Sequence, residues 1–232
     1  MKGGGDDMTA GVATQSPGRA FLALIGTALV VQMTGSYLGH SLVIGGSFYL
    51  SWFILRTVVP VAAILLLRIP FSELGLGPPR IDRRTGIFLL IGLMILVAAF
   101  AGIYFIQGYF DHYAHSFSGA DPLARLCRFS LFTASTLPGW EFLHRSFLLM
   151  GLCYLLKERD GISEGTAAMI ALGVVWVFEV VFHFIKPGVE ALGMLAGSPV
   201  LSWIALRTGS VWIPFAAHLA VEALFIAALI FR

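Results

Sequence analysis

The sequence predicts an all-α fold, a polytopic transmembrane bundle of about seven (six to eight) helices. Three observations predict it. Of 232 residues, 58% are hydrophobic and 12% charged, whereas an average soluble domain has roughly 25% charged residues. The mean hydropathy is +0.87. The apolar residues also fall into seven runs, most of them close to the roughly 20 residues that cross a bilayer.

Residues 1–18 are rich in Gly, Asp and Thr and lack an apolar core, which predicts a disordered tail. The apolar run that follows has no convincing cleavage site, so it reads as a first span and not as a removed signal. In all, the runs at 21–37, 48–67, 86–109, 126–156, 166–185, 189–206 and 211–231 are the candidate helices. Arg56 lies inside the second and is expected to snorkel or to face the bundle. The fourth would be roughly 45 Å long if fully helical, which predicts a tilt, a bend or a start as a surface helix, with Pro138-Gly139 as the place for a bend. The sixth is interrupted by Gly193, Gly197 and Pro199. Two regions follow: N-terminal transmembrane helices over 19–119 and a core over 120–232.

Arg68, Arg80, Arg83 and Arg84 crowd the second loop, and Lys157 and Arg159 stand in the fourth. By the rule that Lys and Arg mark cytoplasmic loops, the N-terminus is cytoplasmic. The net charge of +2 and the lack of a basic run interleaved with aromatics argue against nucleic acid. Cys127 and Cys153 have no Cys-x-x-Cys spacing and read as small buried hydrophobes. His112 and His115 read as solvated loop residues.

Ionisable residues inside apolar spans are costly and mark function. Three pairs at i, i+4 spacing occur in the later spans: Glu141/Arg145, Glu179/His183 and His218/Glu222. Each pair shares one helix face. Facing lipid would leave charges in hydrocarbon, so the three faces are expected to converge. Such a set can polarise a water for attack on a carbonyl, bind a metal, or relay protons. The His-Glu-x-x-His zinc signature is absent, and spacing leaves the three roles open.

The segments Trp140-Glu141-Phe142-Leu143-His144-Arg145, Phe182-His183-Phe184 and Arg207-Thr208-Gly209-Ser210-Val211-Trp212-Ile213-Pro214 through His218 occur in that order. They resemble the three motifs of the CPBP family, the CAAX-protease and bacteriocin-processing (Abi) intramembrane glutamic-type endopeptidases, which include the myxosortases. The resemblance covers roughly 120–232. It is closest to a bacterial branch with Trp-Glu-x-x-x-Arg in the first motif and a His-Phe-x-Lys-Pro stretch like that at 183–187. The family pattern has a Glu where this chain has Trp140, a Phe where it has Glu179, and an Asn or Asp where it has Glu222.

The resemblance implies an intramembrane peptide hydrolase in the bacterial inner membrane, acting on a membrane-anchored protein or peptide without a cofactor. Glu141 or Glu179 with His183 would activate water. His218, supported by Glu222, would stabilise the oxyanion, and Arg145 would orient Glu141. Two alternatives remain: an inactive paralogue serving as a membrane scaffold or immunity-type protein, and a zinc-dependent variant using Glu179, His183, His218 and Glu222. Seven full spans would set His183 and His218 at opposite depths, so convergence predicts a distorted sixth segment.

Overall fold

A computed structural model of the chain describes residues 16–35, 48–104, 121–159, 161–184 and 188–231. His112, His115 and nearly all of the N-terminal tail lie outside the described residues, as do residues 185–187. The described residues are helical, without strands. In chain order, α1 is Pro17–Met33, α2 Phe48–Leu67, α3 Arg83–Tyr104 and α4 Pro122–Glu141. The last continues without a break as a π-wound segment, Phe142–Met150, and then as α5, Gly151–Lys157. Then come α6 Glu164–His183, α7 Gly188–Thr208 and α8 Trp212–Phe231.

Local chemistry sets the helix starts. Asp121 caps α4, accepting from the Ala124 amide at 2.8 Å, and Pro122 takes the first position, where a missing N–H costs nothing. Ser163 caps α6 through the Thr166 amide at 3.2 Å. Asp82 caps α3 through the Thr85 amide at 2.6 Å. The Thr85 side chain first, then this amide and nearby Arg84, hold the Asp82 carboxyl below its ordinary value.

The rod from α4 to α5 is the centre of the bundle. Its π-wound part packs against α1, α2, α6 and α7, while α4 packs against α2 and α8. Phe147, Leu148, Leu149 and Leu152 are fully buried there. Two glycines permit the close approach. A Cβ on Gly139 would lie 2.9 Å from the Arg56 Cβ, and one on Gly151 would lie 3.1 Å from Leu24. On the far side, α3 packs against α7 and α8, with Phe88 edge-on to Trp203 at 5.1 Å.

Two sequence expectations are corrected. Residues 188–208 form one continuous 21-residue helix with Pro199 inside it, where an interrupted segment was expected. Packing against α3, α6 and α8 overrides the local helix-breaking tendency. Cys127 is exposed, and only Cys153 is buried. Among the described residues one helix, α6, is long and apolar enough by itself to cross a membrane, with a hydropathy of 2.0 over its best stretch.

The Thr208–Trp212 turn ties the bundle to the loop before α3. Gly209 adopts φ 61°, a left-handed conformation that favours glycine. The Ser210 hydroxyl donates to the Gly77 carbonyl at 2.8 Å and the Trp212 indole to that of Leu76 at 2.8 Å. The Val211 amide donates to Gly75 O at 2.9 Å, and the Arg80 amide to Thr208 O at 2.8 Å. The Arg-Thr-Gly-Ser-x-Trp run therefore builds a turn and a strap.

Candidate active site

Glu141 is the last residue of α4, where the winding widens from α to π. Pro138 has no amide hydrogen for the preceding turn. Beyond it the Gly151 amide reaches the Ser146 carbonyl, five residues back. Such segments recur at functional sites. Across this turn Arg145 Nε and Glu141 Oε2 form an i, i+4 ion pair at 3.9 Å, longer than a hydrogen bond.

Arg145 also pairs across the bundle. Its Nη1 donates to Glu179 Oε1 at 2.6 Å, with both side chains fully buried. The Trp140 indole N–H donates to the same oxygen at 3.0 Å. Arg145 thus keeps the expected ion pair with Glu141 at 3.9 Å and makes its shorter contact with Glu179, which α6 presents to the widened turn. His144 lies 4.0 Å from Glu179. Its Nδ1 is 2.9 Å from the Trp140 carbonyl, its ring 4.1 Å from the indole.

Glu141 faces the other way. Its Oε1 is 2.7 Å from Nδ1 of His218, in the second turn of α8. Nε2 of that ring lies 3.9 Å from Glu222 Oε1. The His218 and Glu222 side chains keep 21% and 29% of their exposure, against 2% for Glu141. His183 bonds through Nδ1 to the Glu179 carbonyl at 2.6 Å and stands edge-on to Trp140 at 5.0 Å.

All six sequence candidates, Glu141, Arg145, Glu179, His183, His218 and Glu222, therefore join one contact network. It is strung along α4 and its π-wound continuation. His183 meets Trp140 and His218 meets Glu141, so the two histidines reach consecutive residues of one helix. No family model, curated protein or solved structure matches this chain. The network must be judged by its own geometry.

Two further residues, singled out in the sequence but given no part in the site's chemistry, belong to the network. Trp140 is a hydrogen-bond donor to Glu179, not merely a replaced carboxylate. Arg56, 6% exposed, lies with its guanidinium carbon 3.9 Å from the Trp52 ring centre and 4.7 Å from that of Trp140. The i, i+4 spacing of Trp52 and Arg56 was the available signal. Among the described residues, no three His, Cys, Asp or Glu side chains gather as a metal site. Of the zinc set, Glu179 is bonded to Arg145 and Trp140, and His218 to Glu141.

Proposed function

We propose that the chain is a multi-pass protein of the bacterial inner membrane and a CPBP-like peptidase. Its substrate would be a peptide bond of a membrane-associated protein. The membrane reading is supported by an inverted distribution of polarity. Leu22 and Leu66 are 69% and 74% exposed, while His144, Arg145 and Glu179 are at 0%. Water favours the opposite arrangement, and hydrocarbon favours this one. A cytoplasmic N-terminus is supported by the strap joining Arg80 to Thr208 and by the packing of the Phe71–Leu74 turn on α5. These contacts bring the Arg- and Lys-bearing loops to one end.

The observation that carries the peptidase reading is the Glu141–His218 pair. With the hydrogen on Nδ1, the imidazole donates to Glu141 Oε1, which fixes the ring and leaves Nε2 for chemistry. The 3.9 Å gap between Nε2 and Glu222 is too long for a direct bond, and a water can bridge it. In the proposed reaction that water attacks the peptide carbonyl carbon as Nε2 takes its proton. The C–N bond then breaks, and His218 returns the proton to the leaving amine. This moves proton transfer from His183 to His218. Glu179, already bonded to Arg145 and Trp140, becomes a positioning residue.

Purified protein in lipid nanodiscs, incubated with a membrane-peptide library and read by mass spectrometry for new termini, tests this. Wild type should cut, and Glu141→Gln and His218→Ala should not. Undiminished cutting in both sinks the assignment.

Trp140 favours a second reading, the inactive paralogue acting as scaffold or immunity-type protein. Its indole fills the centre of the network, against Arg56, His144 and His183. Trp140→Glu discriminates: activity arising from nothing favours this reading, and loss of existing activity favours the peptidase.

A further inference from the structure

The bundle buries two arginines beside Trp140, and they are treated differently. Arg145 has Glu179 at 2.6 Å and Glu141 at 3.9 Å. Arg56 is 6% exposed and its Nε has no hydrogen-bond partner. Among the described residues no carboxylate pairs with it. Its recorded contacts are the faces of Trp52 and Trp140. Two cation–π contacts offset part of the cost of burying a guanidinium, but removal from water costs more than they return. A side chain kept on those terms is suited to an anion supplied from outside the chain.

The surroundings define that anion. Gly139 lets α4 come against Arg56 itself, and two further polar atoms nearby are buried and unpartnered. Thr57 Oγ1 would lie 3.5 Å from a Cβ on Gly139. His144 Nε2 belongs to a ring stacked on the indole that Arg56 covers. A guanidinium offers in-plane N–H pairs that match a planar carboxylate through two parallel bonds. Arg56 also stands eight residues after Phe48 and eleven before Leu67. That is near the middle of α2, too deep for a lipid phosphate that stays at the headgroup level.

The geometry points to Arg56 as the anchor for a carboxylate of the bound peptide, with Thr57 and His144 beside it. This inference rests on the peptidase reading and adds specificity to it. The carboxylate is either the peptide's own C-terminus or an acidic side chain. Both present the same planar anion to the fork.

The test reads binding, in a His218→Ala background where no bond is cut, so a failure of catalysis does not touch it. Dansylated apolar hexapeptides are titrated against protein in phosphatidylcholine nanodiscs and followed by anisotropy. One arm compares a C-terminal acid with its amide, and the other an internal Glu with Gln. In at least one arm the charged peptide should bind tenfold or more tightly than its neutral twin. Arg56→Gln should abolish the difference, and Arg56→Lys, which keeps the charge but not the fork, should retain part of it. Equal binding in both arms overturns the proposal, and that comparison needs no Arg56 variant to fold. A preference that survives Arg56→Gln overturns it too. So does displacement of the peptide by phosphatidylglycerol, which would assign Arg56 to lipid.

Discussion

Glu179 and Glu141 share a network under opposite conditions. Glu179 is at 0% exposure and takes the Arg145 guanidinium and the Trp140 indole on one oxygen. Glu141 is almost as buried, yet its partner His218 keeps 21% of its exposure and leads out to Glu222. The difference teaches that burial alone does not separate a structural charge from a reactive one. What separates them is whether the partner reaches the surface. Arg145 is fully buried with Glu179, whereas His218 is partly exposed and has a second nitrogen facing Glu222.

Mutations at the two ends should therefore break different things. At the open end, His218→Ala should lower peptide turnover by about 10²–10⁴-fold, the usual worth of a general acid–base residue. Its thermal midpoint in detergent should change little. At the closed end, Arg145→Ala leaves Glu179 buried without its cation and should cost about 3–5 kcal/mol of stability. The double change Arg145→Met with Glu179→Leu should recover most of that loss, because it removes both charges. Denaturant titration of the single and double variants measures the coupling directly.

Sequence length and hydropathy predicted the helices well. The candidate at 48–67 coincides with α2, and those at 166–185 and 211–231 fall within two residues of α6 and α8 at either end. Apolar runs of bilayer length need little tertiary information to be read. The pairing inside the bundle was harder. The spacing of Glu141 and Arg145 reports their 3.9 Å pair along one helix, but not the shorter bond that Arg145 makes to Glu179 on α6. The Trp140–Glu179 and Glu141–His218 bonds join residues 39 and 77 apart, which no local pattern carries. Gly193, Gly197 and Pro199 misled in the other direction, because packing against α3 and α6 keeps α7 continuous.

Smaller effects sharpen the same contrast. Gly139→Ala forces a methyl to 2.9 Å from Arg56 and should cost about 1–3 kcal/mol, as overpacking does. It should also disturb Trp140, and so both ends together. Asp82, far from the network, is a control. Its folded carboxyl is held below its ordinary value, so its contribution is present above the unfolded value and is lost as pH falls through the folded one. Asp82→Ala should lower the melting temperature at neutral pH, by an amount that shrinks in acid, with turnover unchanged.

The most direct test of the account compares two isosteric changes, Glu141→Gln and Glu179→Gln, in the same nanodiscs, measuring turnover and melting temperature for each. The account predicts that Glu141→Gln loses turnover while melting near wild type. Glu179→Gln should melt markedly lower and keep measurable cutting below its transition. The reverse assignment, with Glu179→Gln stable and inactive and Glu141→Gln active, would contradict it.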